Sequence, residues 1–157
     1  MFKEMRVQKK VMPADRIDKL ILEGEYGVLS VLDTNGYPYA IPVNYVSDEH
    51  AIYIHCAREG MKIDAIAAHE KVGFTIVGRH SVVAKRFSSD FESVVCFGKA
   101  EFVESDDTKL EILKRFIVKY APEFTEGGFK YAANDFHKTN IIKLTVEHKT
   151  GKTNIDL

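Results

Sequence analysis

Apolar and polar residues alternate along several short runs of this sequence, which is the pattern of β-strands with one buried face. The runs are residues 26–32, 37–46, 52–57, 71–78, 92–104 and 139–148. Asn35-Gly36 lies between the first two runs, and this pair is typical of the tight turn of a β-hairpin. About six strands, joined mostly by short turns, predict a small antiparallel barrel.

Three other stretches repeat their apolar residues at helical spacing. They are residues 13–23, 62–69 and 106–121. Pro13 suits the start of the first helix, and we expect Gly24 to end it in a left-handed conformation. The sequence therefore predicts one mainly β domain over residues 1–157, with helices packed outside the barrel.

The remaining long segments show no clear period. Residues 122–138 contain Gly127-Gly128 and four aromatic side chains, and we predict a long ordered loop with a functional or interfacial role. Residues 79–90 predict a basic connection that either caps a site or is only solvated. Residues 149–152 predict a turn after the last strand.

Two prolines make the second strand unusual. Pro38 and Pro42 have no N–H for a β-ladder, so this strand should lie at a sheet edge or be bulged, which leaves backbone groups available to another molecule. Protection of the edge against aggregation explains the same prolines. Gly98, inside a later strand, predicts a bulge or a sharp bend.

Residues 52–69 combine a strand, a glycine-bearing loop and a short helix. The start of a helix exposes N–H groups and a partial positive charge, and here Arg58 and Lys62 lie on either side of Gly60. An anionic group such as a phosphate could bind at this position. An ordinary connection with solvated surface charges would have the same sequence.

Alternation along this strand divides its side chains between two faces. Ile54 and Cys56 belong to the core face, whereas His55 and Ala57 belong to the opposite one. We expect Asn44, on the proline-bearing strand, to share a polar groove with His55 if the strand register permits.

Charge and hydropathy exclude several classes of partner. The 157 residues carry 22 basic and 23 acidic side chains and a net charge of −1, so no overall field attracts a nucleic acid. No apolar run reaches the roughly 18 residues of a membrane span, and the N-terminus lacks the apolar segment of a signal peptide. We expect a cytoplasmic protein that binds neither nucleic acid nor membrane.

Cys56 and Cys96 both lie in apolar runs, which predicts buried thiols in a reducing compartment. His55 beside Cys56 could suggest a metal ligand pair. No second pair follows at zinc-like spacing, so we predict no metal site.

Four segments resemble, in the same order, the nitroimidazole-resistance branch of the pyridoxamine 5′-phosphate oxidase-like flavoproteins. They are Asn-Gly-Tyr-Pro-Tyr-Ala-Ile-Pro-Val-Asn-Tyr (35–45), Ile-Tyr-Ile-His-Cys-Ala-Arg-Glu-Gly-Met-Lys (52–62), Ser-Val-Val-Cys-Phe-Gly (93–98) and Lys-Thr-Gly-Lys (149–152). The likeness covers residues 5–152. It implies a split β-barrel of six antiparallel strands with flanking helices, and a homodimer with one FMN at each end of the subunit interface.

The resemblance also implies which residues contact the FMN. They are Pro42, Val43, Asn44, His55, Cys56, Ala57, Glu59, Gly60, Lys62, Ser93 and Val94. By position, 42–44 would lie along the isoalloxazine ring, and Lys62 with the loop at 59–60 would hold the phosphate. Ser93 and Val94 would line the pocket, from the same subunit or from its partner. His55 would lie on the substrate side and is the candidate catalytic residue.

Three functions agree with these patterns. The first is an FMN-dependent oxidoreductase that acts on a small flat molecule such as a nitroaromatic, since the branch is associated with reduction of a nitro group to an amine. The second is a split-barrel protein that binds flavin or haem without turnover. The third is a dimeric scaffold without a cofactor. The full substrate-binding pattern of a true pyridoxamine-phosphate oxidase is not present.

Overall fold

The computed structural model describes residues 2–155, in which seven strands form one curled antiparallel sheet. The predicted range of residues 1–157 includes positions 1, 156 and 157, which lie outside this description. The strands are β1 (Tyr26–Leu32), β2 (Pro38–Asn44), β3 (Val46–Ser47), β4 (Ala51–Cys56), β5 (Lys71–Val83), β6 (Ser88–Phe102) and β7 (Asn140–Thr153). They lie in the order β2-β1-β5-β6-β7-β4-β3. Strands β2 and β4 approach each other within 8 Å between Cα atoms, so the curled sheet forms a split barrel.

The predicted fold class is confirmed, but the predicted number of six strands is wrong. The run at 37–46 forms two strands, because the pairing of β2 with β1 ends at Asn44 and Val46 pairs with Tyr53 of β4 instead. Tyr45, between them, is completely buried, and its N–H bonds to the hydroxyl of Tyr120 at 3.0 Å. At this residue a hydrogen bond to a side chain replaces the backbone hydrogen bond to a neighbouring strand.

Four α-helices flank the described sheet, and the last of them packs on the third. They are α1 (Ala14–Glu23), α2 (Met61–Ala68), α3 (Asp106–Tyr120) and α4 (Thr125–Asp135). The first three confirm the predicted helices to within about a residue at each end. The left-handed end predicted at Gly24 is wrong, because its φ of −60° is an ordinary value. Glycine is needed there for space, since a Cβ would lie 2.5 Å from the hydroxyl of Tyr45.

Helix α4 occupies the segment for which a long loop was predicted. Gly127 and Gly128 disfavour a helix in an isolated chain, so the sequence pattern did not predict this one. Gly128 lies against α3, where a Cβ would come within 2.6 Å of Ile117 Cγ2. The glycine lets the two helices approach closely, and this packing outweighs its poor helix propensity.

Strands β5 and β6 are longer than predicted. The basic connection predicted at 79–90 is instead the end of a long hairpin, because the cross-strand pairs continue from His80 opposite Phe91 to Val83 opposite Ser88. A short 3₁₀ turn at Ala84–Arg86 joins the strands. The turn predicted at 149–152 is also wrong, since β7 pairs with β6 through these residues.

The two special features predicted for strands are confirmed. Strand β2, which carries Pro38 and Pro42, is the edge of the sheet next to β1. At Gly98 the register between β6 and β7 shifts. A Cβ on Gly98 would lie 2.0 Å from the carbonyl oxygen of Thr145, so only glycine permits this approach.

The core fills the inside of the barrel, and a smaller cluster lies beneath α3. The main cluster includes Cys56 and Cys96, whose thiols are free and buried as predicted. Burial raises the pKa of the Cys96 thiol to about 11. The smaller cluster consists of Val46, Ile112, Phe116 and Ile141. In residues 2–155 no helix has the length and apolar character needed to cross a membrane.

Candidate functional site

The start of α2 is the most distinctive backbone feature of the predicted site. Gly60 precedes the helix with a φ of +124°, which L-residues rarely adopt, and no side chain caps the helix start. The N–H groups of Ile63 and Asp64 bond to the Gly60 carbonyl at 2.8 and 3.2 Å. The earlier amides of the first turn have no partner within the helix and are available to a ligand.

Lys62, in this first turn, is electrostatically coupled to the end of β4. Burial lowers the pKa of His55, and the nearby positive charge of Lys62 lowers it further. Burial raises the pKa of the Cys56 thiol, and Lys62 opposes that change. The same positive charge thus acts on both residues at the end of β4, and the lowered pKa favours the neutral imidazole of His55.

The surroundings of His55 explain why an exposed side chain has a burial-lowered pKa. Its imidazole packs edge-on against the ring of Phe116, with 4.6 Å between ring centroids and an interplanar angle of 84°. One side of the imidazole is thus shielded from water, while the other is open on the outer face of β4. An imidazole held in this way can donate or accept a hydrogen bond toward a molecule outside the barrel.

The loop between β4 and α2 also contacts the segment that follows α4. Arg58 donates a hydrogen bond to the carbonyl oxygen of His137, just after α4, at 3.4 Å. Ala57, Glu59 and Gly60 are exposed. Sequence reasoning missed both His137 and Phe116 as neighbours of the site, because nothing local relates positions so distant along the chain.

Strand β2 supplies the other predicted part of the site. Pro42 and Asn44 are exposed on this edge strand, while Val43 packs against the core. The Asn44 amide donates to the Glu25 carbonyl at 3.0 Å. Although β2 and β4 approach each other, Asn44 and His55 have different partners, and their shared groove stays a prediction.

The strand register offsets Ser93 from His55 within one chain. It pairs with Lys152 of β7, whereas His55 pairs with Ile141 of that strand. Those β7 residues are eleven positions apart (152 − 141), which is roughly 35 Å of strand at about 3.3 Å per residue. The Val94 side chain is completely buried in the core. Within one chain, Ser93 is therefore offset from His55 along the sheet, and Val94 has no exposed side chain to offer a ligand.

The described residues 2–155 contain no group of three or more His, Cys, Asp or Glu side chains arranged to hold a metal ion. The site thus consists of an open helix start, one lysine, a neutral histidine and a sheet edge. These groups suit an anion and a flat polar molecule.

Two comparisons place the chain among known folds. Residues 13–153 match the model of the pyridoxamine 5′-phosphate oxidase family. A crystal structure of a candidate 5-nitroimidazole antibiotic resistance protein from Bacteroides thetaiotaomicron is 28% identical, with a TM-score of 0.77 over 90% of this chain and 85% of that one. No curated protein is significantly similar in sequence.

More distant structures share the fold at lower identity. The flavocytochrome Anf3 from Azotobacter vinelandii is 18% identical, with a TM-score of 0.80 over 98% of this chain and 73% of that one. The FAD and haem binding protein from Mycobacterium smegmatis is also 18% identical, with a TM-score of 0.76 over 93% and 73%. With a family match over nearly the whole sequence, the chain belongs to the pyridoxamine 5′-phosphate oxidase family.

Proposed function

We propose that this protein is an FMN-binding oxidoreductase that reduces a small flat substrate, such as a nitroaromatic of the 5-nitroimidazole type. We further propose that it acts in the cytoplasm as a homodimer with FMN at the subunit interface. The observation that carries the proposal is the uncapped start of α2 at Gly60, with Lys62 in its first turn and neutral His55 beside it.

The start of α2 fits the phosphate of a flavin nucleotide. Its open amides and the Lys62 ammonium are donors to an anion, and hydrogen bonds to a charged group each contribute roughly 1.5–3 kcal/mol. The positive end of the helix adds to the attraction. Gly60 reaches the required backbone conformation without the strain that another residue would impose.

The residues around the phosphate position suit the ring of the same cofactor. When bound, the flavin supplies the electron transfer. The chain's own part is to hold and orient: residues 42–44 lie on an edge strand, and His55 presents an uncharged imidazole on an open face. A neutral imidazole can hydrogen-bond a substrate without repelling or attracting a charge at neutral pH.

The position of Ser93 supports the proposed dimer. Ser93 and Val94 carry over from the resemblance as pocket residues, yet along β7 they lie roughly 35 Å of strand from His55. A second copy that places its own β6 next to the first copy's α2 would bring the two parts together. In this arrangement each site depends on both subunits.

Several relatives support a flavin in general, and the 5-nitroimidazole relative supports the substrate class. The structures from Azotobacter and Mycobacterium are described as a flavocytochrome and as a FAD and haem binding protein. At 18% identity these two structures are evidence for the shared fold but not for the choice of cofactor. We choose FMN because one helix start and one lysine suit one terminal phosphate.

The test uses the purified full chain. We expect it to retain or bind FMN, to be reduced by NAD(P)H or dithionite, and to be reoxidised by a 5-nitroimidazole. With NAD(P)H in excess, repeated cycles should form the amine, because one reduced flavin carries fewer electrons than conversion of a nitro group to an amine requires. Size-exclusion chromatography with light scattering should give a dimer. Protein that binds neither FMN nor FAD would contradict the proposal and favour the cofactor-free scaffold.

A non-enzymatic flavin- or haem-binding protein is the second candidate, and His55 favours it. Its neutral imidazole is partly exposed and could ligate a haem iron. Reconstitution with haem would then give a Soret band that is lost in His55→Ala. Bound flavin that is reduced but never reoxidised by a nitroaromatic would favour binding without turnover.

A further inference from the structure

A chain of contacts links the two predicted halves of the site through helix α3. The hydroxyl of Tyr120, at the end of α3, lies 2.6 Å from the Glu25 carbonyl oxygen and 2.8 Å from the Tyr45 carbonyl oxygen, and it donates its one hydrogen to this pair of acceptors. The Glu25 carbonyl also accepts a hydrogen bond from the Asn44 amide at 3.0 Å. Asn44, on β2, is therefore connected to α3 through one shared acceptor.

The other end of this chain is His55. The Tyr120 ring stacks on the Phe116 ring, with centroids 6.0 Å apart and an interplanar angle of 21°. Phe116 in turn packs against the His55 imidazole. Phe116 is only 6% exposed and belongs to the same buried cluster as Ile141, the residue opposite His55 in the β4–β7 ladder.

The end of α3 is also bound to the backbone where β2 leaves the barrel. The Tyr120 hydroxyl oxygen accepts the Tyr45 N–H at 3.0 Å. The Lys119 ammonium donates to the carbonyls of Gly24 and Tyr45 at 2.7 and 3.0 Å. These bonds leave the last turn of α3 little freedom to shift relative to β2.

We infer that Phe116 and Tyr120 are positioning residues that set the distance and orientation between Asn44 on β2 and His55 on β4. The inference rests on the proposed function in one respect, which is that a flavin binds in the space between Asn44 and His55. Strands β2 and β4 are not hydrogen-bonded neighbours, and the nearest ladder pair, between Val46 of β3 and Tyr53 of β4, lies two residues away from Asn44 and from His55. Helix α3 bridges the unpaired gap between Asn44 and His55 from outside the barrel.

The first test needs no cofactor. In NMR spectra of the cofactor-free protein, Phe116→Leu should move the His55 imidazole resonances, because the adjacent ring current is lost. Tyr120→Phe keeps the aromatic stack but removes the hydroxyl, so it should move the Asn44 side-chain amide resonances more than those of His55. Ile112→Val, one helical turn before Phe116 and in the same cluster, is the control and should move neither.

The second test measures FMN affinity and turnover. Phe116→Leu and Tyr120→Phe should each weaken FMN binding by about tenfold and lower kcat with a nitroaromatic, while Ile112→Val leaves both unchanged. If Phe116→Leu does not fold, the milder Tyr120→Phe carries the same test.

The two hypotheses fail in different ways. If the wild-type protein binds no flavin, the proposed function is wrong, and the NMR experiment still tests the positioning role. His55 resonances unchanged in Phe116→Leu, or Asn44 resonances unchanged in Tyr120→Phe, would overturn the inference even in a protein that binds FMN. Equal changes in Ile112→Val would also overturn it, since they would reflect general packing of α3.

Discussion

Two corners of this barrel hold cationic side chains in opposite ways. Beside α1, the guanidinium groups of Arg16 and Arg79 both bind the carboxylate of Glu92, which is 7% exposed. At the start of α2, Lys62 belongs to none of the ion pairs among residues 2–155. At the first corner the buried carboxylate is paired with both arginines and contributes to stability, whereas the lysine at the second corner has no ion-pair partner among residues 2–155 and can attract an anionic ligand.

The largest expected effect breaks the ion-paired corner. Glu92→Gln removes the charge from a carboxylate that is 7% exposed and accepts hydrogen bonds from two arginines, so it should lower the free energy of unfolding by about 3 kcal/mol. Chemical denaturation measures this loss. The control is Glu101→Gln, whose exposed pair with Lys143 should contribute no more than about 1 kcal/mol. Unchanged FMN affinity in Glu92→Gln would confirm that the two corners are independent.

The same corner should respond to acid. Burial alone would raise the pKa of Glu92, but hydrogen bonds from Arg79 and Arg16 outweigh it and lower the pKa. A carboxylate with a lowered pKa stabilises the fold above its unfolded-state pKa, and this stability is lost as pH falls through the folded-state value. Wild-type stability should therefore decrease on acidification more steeply than that of Glu92→Gln.

The next effect tests the backbone of the ligand corner. Gly60 has open space around its Cα but a φ of +124°, so Gly60→Ala imposes backbone strain of roughly 1–3 kcal/mol and should distort the start of α2. Gly36→Ala, at a hairpin turn with a φ of +82° and equally open space, is the matched control. Both variants should lose stability, but only Gly60→Ala should also lose FMN affinity. Equal affinity in the two variants would argue against a phosphate at this turn.

Lys62→Ala should weaken FMN binding by about tenfold at low salt with little change in stability. The lost contact is electrostatic, so the difference from wild type should shrink as salt screens the charge. Fluorescence titration with FMN at two ionic strengths measures both. Lys19→Ala, on the exposed face of α1, controls for a general loss of positive charge. Unchanged affinity would exclude Lys62 from the phosphate site.

The smallest expected effect is a pKa change at His55. Because the charge of Lys62 lowers the pKa of His55, Lys62→Ala should raise it toward the ordinary value, as measured by NMR titration of the cofactor-free protein. The direction of this pKa shift also determines how stability depends on pH. Because the folded state binds the proton more weakly than the unfolded state, the fold loses stability as pH drops below the unfolded-state pKa of about 6.5. That loss should be smaller in Lys62→Ala. An unchanged pKa would mean that the two groups are not coupled.

Local patterns were enough to predict much of the barrel. Alternation along β4 correctly divided Ile54 and Cys56 from His55, and the prolines of β2 correctly predicted an edge strand. The glycine before α2 was identified because it lies between a segment with the apolar repeat of a strand and a segment with the apolar repeat of a helix. Such features depend on residues that are neighbours in the chain, so periodicity and backbone chemistry reveal them.

The failures occurred where a distant contact overrides a local preference. Helix α4 exists despite Gly127-Gly128, because Gly128 packs closely on Ile117. The run at 37–46 divides at Tyr45, because its N–H bonds to Tyr120 instead of to a strand. No window of sequence contains both partners of such a contact.

The sequence by itself determined the mainly β architecture, the edge strand and the candidate anion position at Gly60 and Lys62, since each follows from the order of nearby residues. Only the tertiary structure decided that Phe116 and Tyr120 connect His55 to Asn44, and that Ser93 is offset from His55 along β7. The physical reason is that strand register and helix packing set these distances, and both depend on the whole core folding at once.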